Sequence, residues 1–300
     1  MKIFTLAALF TGVATASAGQ VFRTGVDLVS FGVTVVDKKG NLITDLGPSD
    51  FEILEDGHKQ TLRYLAHGDD DATAPELHLG LLLDTSGSME EDINLARSAA
   101  VKFLNALPDA VDMTLVDFDT EVRVARYGQK DFPRLVERIR GRKPDGWTAL
   151  YDAIGVYLDG ASSQAGRKIL VLYTDGGDTT STMTFSDTMT LLKTSDVTVY
   201  AIGLLEHQFA SNRTDQRMQL QQIAEATGGQ AFFPTSMKEV DVMYERVLAE
   251  MRAQYSLGYA SNNERPDGSW RKVEIKLARQ QLKVRTRKGY FAPYKESARP

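Results

Sequence analysis

Apolar strand-like runs alternating with amphipathic helical segments predict an α/β protein. The expected core is a doubly wound, mostly parallel sheet with helices on both faces, plus a small β domain assembled from N- and C-terminal strands. Three observations carry this. The stretches Leu79 to Leu83, Lys168 to Tyr173 and Val197 to Leu204 are apolar-rich with little polar alternation, as expected of strands covered on both faces. Each is followed by a helical period. The two ends of the chain, by contrast, alternate apolar and polar residues, and neither end has enough strands for a stable sheet of its own. They are therefore expected to pair with each other across the α/β unit.

From the N-terminus, Lys2, the apolar run Ile3 to Val13 and Ala16-Ser17-Ala18 match a secretory signal with a small-residue cleavage site, so cleavage is expected after Ala18. No later stretch approaches the roughly 18 apolar residues of a membrane span, and the expected location is periplasmic or extracellular. The expected organisation is a signal peptide over 1–18, an N-terminal β segment over 22–66, a linker over 67–75, the α/β domain over 76–254 and a C-terminal β segment over 255–294. In the first β segment Val29, Phe31, Val33 and Val35 alternate with polar or small residues, and Asp56-Gly57 marks a hairpin whose return strand runs through Leu62 and Tyr64. Asp69-Asp70-Asp71 reads as a solvated linker.

After Leu83, a helix with Met89, Ile93, Ala96, Ala100, Phe103 and Leu107 on one face runs to Pro108. Val111 to Phe118 and Val122 to Tyr127 read as an edge hairpin, and Phe132 to Ile139 as a polar-faced helix. A turn at Gly146-Trp147-Thr148 opens the next helix. Thr184 and Asp187 form a capping box for a helix through Leu192. Further helices are expected around Met218 to Ala226 and from Val240 to Tyr255. The tail alternates at Val273, Ile275 and Leu277, then at Leu282 and Val284. Its basic residues Lys272, Lys276, Lys283, Arg285, Arg287 and Lys288 read as a solvated face.

With 42% hydrophobic and 25% charged residues, the 300-residue chain has an ordinary globular composition, and its net charge of -5 argues against nucleic acid as a main partner. The absence of cysteine removes disulfides, thiol catalysis and thiolate metal sites. The four histidines show no metal-ligand spacing. What stands out is that two apolar strands end in oxygen-bearing side chains: Asp84, Ser86 and Ser88 after the first, Thr174 and Asp175 after the second. In open α/β sheets ligands sit beyond the carboxyl ends of strands, and such hard oxygen donors suit Mg²⁺, Mn²⁺ or Ca²⁺. Singly, these residues also suit helix caps and turns.

Taken together, Asp84-Thr-Ser86-Gly-Ser88, Thr148 and Asp175 resemble the metal-ion-dependent adhesion site of the von Willebrand factor type A domain, a Rossmann-like fold, over roughly Glu76 to Met251. The flanks are similar to a secreted bacterial VWFA-related family of acidobacterial type: Val26 to Leu65 at one end, Tyr255 to Tyr259 and Arg285 to Phe291 at the other. The resemblance implies a non-enzymatic protein-binding or adhesion module. Ser86, Ser88 and Thr148 would ligate a divalent cation, most simply Mg²⁺, directly, with Asp84 and Asp175 acting mainly through bound water. One vertex would take an Asp or Glu carboxylate of a partner protein. Trp147, where the family commonly has a small residue, either anchors a partner at the rim or packs on the following helix.

Three other readings compete. An aspartic protease would need a second Asp-Thr-Gly-like copy, which is absent. A Mg²⁺-dependent phosphohydrolase of the haloacid dehalogenase type would use Asp117-Phe118-Asp119, but Glu121 stands where Thr or Val is expected. A secreted scaffold stabilised by the ion would use the same ligands as an adhesion module.

Overall fold

A computed structural model describes residues 28–68, 75–106 and 110–294. The signal-peptide reading, the linker core over 69–74 and the Leu107-Pro108 helix end lie outside these residues.

The centre is a six-stranded sheet in the order β10-β9-β8-β5-β6-β7. Its strands are β5 (Leu77–Asp84), β6 (Asp112–Phe118), β7 (Val122–Gly128), β8 (Arg167–Thr174), β9 (Val197–Gly203) and β10 (Gln230–Phe232). All neighbours are parallel except the β6–β7 hairpin at one edge. Every residue of β5 is buried, which is why its sequence lacks alternation. Leu79, Leu81 and Leu83 pack under α1 (Ile93–Asn105), α2 (Phe132–Gly141) and α6 (Met237–Ala253). Leu82 faces the other way, under α3 (Leu150–Ser162), α4 (Phe185–Thr194) and α5 (Ala210–Ala226). On that face Gly80 has no Cβ because the Tyr157 ring of α3 lies where one would be: a Cβ would stand 2.2 Å from Tyr157 Cε2.

The chain ends form a β-sandwich of two four-stranded sheets. One has the order β13-β1-β11-β4, from β1 (Leu28–Val36), β4 (Leu62–His67), β11 (Tyr255–Ala260) and β13 (Lys283–Arg285). The other has the order β14-β12-β2-β3, from β2 (Phe51–Glu55), β3 (His58–Gln60), β12 (Trp270–Leu277) and β14 (Gly289–Phe291). β1 pairs antiparallel with β11, and β2 with β12, so each sheet joins both ends of the chain as expected. Phe31, Val33, Ile53, Leu257, Tyr259 and Val273 fill the space between the sheets.

Several local expectations change. Asp56 and Gly57 both have positive φ, 48° and 83°, and make the tight turn. The return strand, however, is only His58–Gln60, and the chain then crosses at Thr61 so that β4 joins the opposite sheet. Met89 sits in a separate 3-10 turn, Gly87–Met89, ahead of α1. α5 begins at Ala210, a full two turns before the apolar signal at Met218. α6 ends at Ala253, and Tyr255 opens β11. The basic tail is not a uniform solvated face. Arg285 is partly buried and pairs with the fully buried Glu250 of α6. Arg287 donates to the carbonyls of Ser195 at 2.9 Å and Ser30 at 2.7 Å, with its guanidinium 4.5 Å from the centre of the Phe31 ring. These two side chains tie the sandwich to the α/β unit, whereas Lys272, Lys276, Lys283 and Lys288 are exposed as expected.

Candidate metal site at the carboxyl edge of the sheet

β5 lies between β8 and β6, and the connections from β5 and β8 leave in opposite directions, so the crevice beyond their carboxyl ends is the switch point of the sheet. Asp84 ends β5 and Thr174 ends β8. Asp84 is completely buried. Its Oδ1 accepts from Ser86 N at 2.9 Å and Ser86 Oγ at 2.6 Å, and its Oδ2 accepts from Thr174 Oγ1 at 2.6 Å. The carboxylate therefore closes its own loop and clamps the neighbouring strand end.

The hydroxyls carry the connection onward. Ser86 Oγ and Ser88 Oγ are 3.1 Å apart, and the Ser88 hydroxyl lies near enough to Asp175 to oppose the rise of its carboxyl pKa. Asp175 also accepts from Gln208 Nε2 at 2.8 Å and Gly177 N at 3.2 Å. Hydrogen bonds thus run from Asp84 through Ser86 to Ser88, with Asp175 beside Ser88. None of the three loop side chains caps α1, which starts at Ile93 with Asp92 in the capping position.

Thr148 reaches this edge through its backbone. Gly87 N donates to Gly146 O at 3.1 Å and Asp145 N to Thr85 O at 3.0 Å, which stitches the second loop to the first. Thr148 N donates to Thr179 Oγ1 at 2.8 Å, while Thr148 O accepts from Thr179 N at 2.9 Å. Its side chain is buried and takes no part in the hydrogen bonds that run from Asp84 to Ser88. Trp147 is 66% exposed beside Thr148. Asp178 is a turn and helix-start residue, accepting from Tyr151 N at 3.2 Å and from Ser181 Oγ at 2.5 Å.

Electrostatically the edge is short of positive charge. Burial, then the nearby charge of Asp175, pushes the Asp84 carboxyl up to about 7 despite the hydrogen bonds from Ser86 and Thr174. Burial also raises Asp175, with Asp92 adding to the effect and the Ser88 and Gly177 bonds opposing it. No lysine or arginine is among the groups bonded to either carboxylate. Asp92 was not singled out from sequence. Its Oδ2 is buried without a partner while its Oδ1 meets His207 Nδ1 at 3.1 Å. Gln208 was likewise missed, because its contact with Asp175 joins positions 33 residues apart with no motif around it.

Two buried carboxylates, hydroxyl oxygens at hydrogen-bonding spacing and an orphaned carboxylate oxygen make a donor set that fits a hard divalent cation. Among the described residues no group of three His, Asp or Glu side chains converges as a ligand cluster, so hydroxyls would have to supply part of any coordination sphere. Asp117 and Asp119 are different. Asp117 accepts from Arg123 at 2.8 Å, Arg138 at 2.8 Å and Arg142 at 3.0 Å, and Asp119 is bound by Arg123. Guanidinium groups already neutralise that pair, which leaves no charge there for Mg²⁺ and counts against the phosphohydrolase reading.

Among the described residues no helix is long and apolar enough to cross a membrane. Solved structures with a similar fold include the PilB minor pilin from Streptococcus sanguinis, at 14% identity and a TM-score of 0.49, with 61% of this chain and 63% of the pilin covered. A von Willebrand factor type A protein from Catenulispora acidiphila is 13% identical with a TM-score of 0.49, covering 82% of this chain and 74% of that one. The vWF domain of the type V pili tip protein Mfa5 from Porphyromonas gingivalis is 13% identical with a TM-score of 0.49, covering 60% and 97%. The match to the pilin thus spans less than two thirds of that chain's length. No curated protein matches significantly. The von Willebrand factor type A domain matches residues 78–246, more than half of the chain, and the chain therefore belongs to that family.

Proposed function

We propose that the chain is a secreted, non-enzymatic protein-binding module of the adhesion type, in which a divalent cation, Mg²⁺ in the first instance, joins it to an acidic residue of a partner. Ser86, Ser88 and Thr148 would hold the ion directly and Asp84 and Asp175 through water, forming a metal-ion-dependent adhesion site. The bound ion would supply a coordination vertex for an Asp or Glu carboxylate. What carries this reading is the cluster of Asp84, Ser86, Ser88 and Asp175: two buried carboxylates beside hydroxyls, with no lysine or arginine among the described groups bonded to either. Ser88 and Trp147 are exposed beside it, which favours a partner-facing role over a purely stabilising ion. Secretion rests on the Lys2 to Ala18 segment, and membership of the acidobacterial-type VWFA-related family on the flanking motifs.

The test uses proteins captured on the immobilised chain in Mg²⁺. A chelator should release them. Thr148→Ala should weaken the interaction by about tenfold or more, the scale of one lost charge-assisted contact, with little change in melting temperature. Capture that survives both treatments would overturn the proposal.

A further inference from the structure

The carboxyl edge of the sheet carries two exposed aromatic rings. Four rings are exposed among the described residues: Phe291 and Tyr294 belong to the tail of the sandwich, and Trp147 and Phe209 to loops at the candidate metal site. Trp147 follows Gly146, whose carbonyl accepts from Gly87 N, and Trp147 N donates at 2.8 Å to Thr120 Oγ1 in the turn after β6. Gly146 has φ 72°, and a Cβ there would stand 2.5 Å from that hydroxyl, so only glycine lets the loop lie this close to the turn. Phe209, 79% exposed, follows Gln208, the donor to Asp175, in the loop after β9. Its carbonyl accepts from Asn212 N at 2.9 Å, and Arg213 Nε donates to Gln208 O at 2.9 Å. Both rings thus stand in solvent on backbones that are pinned in place.

The strand order sets the span between them. β9, β8, β5 and β6 are consecutive in the sheet, and the two inner strands lead into Asp175 and Asp84. Neighbouring strands lie about 4.8 Å apart, so the turn after β6 and the loop after β9 begin about 14 Å from each other, on either side of the exposed Ser88 loop. An extended peptide covers about 13 Å between the residues two before and two after a given position, and those three side chains share one face. A segment lying across the edge with its acidic residue towards Ser88 therefore brings its flanking side chains onto Trp147 and Phe209. Charge narrows the sequence further. Glu206 is exposed in the Phe209 loop with no ion pair among the described residues, while Glu91 and Asp92 share His207 at 3.2 Å and 3.1 Å. Additional acids in the segment would be repelled there.

Resting on the metal reading above, we propose that Trp147 and Phe209 select the partner: an extended segment with a single Asp or Glu and apolar side chains two positions before and two positions after it. The carboxylate would meet the ion, and the rings would cover the apolar side chains. Aromatic side chains suit this role because they bury a large apolar area at little cost in side-chain freedom. A segment with glycine or further acids at the flanking positions would keep only the carboxylate contact.

The test titrates three end-blocked peptides, Leu-Gly-Asp-Gly-Leu, Gly-Gly-Asp-Gly-Gly and Glu-Gly-Asp-Gly-Glu, into the full chain in saturating Mg²⁺, read by amide and indole shifts in NMR. The leucine peptide should bind about tenfold or more tighter than the glycine peptide, the scale of partly burying two leucines, and the glutamate peptide no tighter than the glycine one. Trp147→Ala and Phe209→Ala should each remove about threefold or more of that advantage, with melting curves and Mg²⁺ affinity by calorimetry as in the wild type. Phe209→Leu should keep part of it. Leucine and glycine peptides that bind alike or not at all, a glutamate peptide that matches the leucine one, or a leucine preference that survives in both alanine variants would each overturn the proposal while leaving the metal site standing. Absence of Mg²⁺ binding, or peptide binding that persists in chelator, would instead remove the metal reading and the proposal with it.

Discussion

The uncompensated charge at the sheet edge makes metal addition the most informative perturbation. Asp84 and Asp175 are buried near one another, and each is held away from its ordinary proton affinity by burial and by acidic neighbours. A cation that binds only the folded chain stabilises it by about 2.7 kcal/mol at 100 times its dissociation constant. For a cooperative unit the size of the α/β domain, each kcal/mol raises the melting temperature by about 2–4 °C, so a rise of about 5–10 °C is expected with the physiological ion. The assay is thermal unfolding from Gly19 onward with Mg²⁺, Mn²⁺ or Ca²⁺. Asp84→Ala should abolish the rise, although it also frees Thr174 Oγ1 and the Ser86 donors and so lowers the metal-free baseline. Asp84→Asn serves as the isosteric control: it keeps the shape of the clamp, removes the charge, and should likewise lose the metal response. No rise with any ion, together with no heat of binding in direct calorimetry, would refute the reasoning and reduce the five residues to caps and turns.

Other parts of the molecule give independent checks. His207 is bonded to Asp92, with Glu91 also nearby, so by NMR it should titrate above its ordinary 6.5, and Asp92→Asn should bring it back. The sign follows from a raised folded-state value: the stabilisation is fully present below pH 6.5 and is lost as pH rises through the folded-state pKa. In the sandwich, Glu55 is buried and accepts from Tyr259 at 2.8 Å, Tyr290 at 2.9 Å and Ser261 at 2.6 Å. Tyr290→Phe should therefore cost about 1.5–3 kcal/mol in chemical denaturation, as expected for a hydrogen bond to a charged group; an unchanged midpoint would show that the bond contributes nothing. Gly80→Ala should destabilise by about 1–3 kcal/mol through overpacking against Tyr157, and Tyr157→Phe, which leaves the ring in place, should not rescue it.

How far the architecture could be read ahead of the structure depended on whether the relevant force is local in sequence. Buried parallel strands such as Leu79 to Leu83 announce themselves because both faces demand apolar residues, and the helix after Thr184 because its capping box lies within four residues. Asp84, Ser86, Ser88 and Asp175 stand out for a similar reason: oxygen-bearing side chains follow directly on runs that are otherwise apolar. The crossing at Thr61 was hidden because alternation along Leu62–His67 is the same whichever sheet the strand joins, and partner choice is settled by β11 nearly two hundred residues later. The early start of α5 was hidden because the polar run Ala210 to Arg217 has no apolar face to show. Arg285 and Arg287 read as surface residues for the same reason that Asp92 and Gln208 went unnoticed. A charge pattern along one strand cannot say whether a distant helix brings Glu250 beneath it, or whether His207 and Asp175 wait across the crevice. The polar contacts missing from the sequence reading are therefore those joining elements far apart in the chain, and it is these contacts that seat the sandwich on the α/β unit and surround the carboxylates of the candidate site.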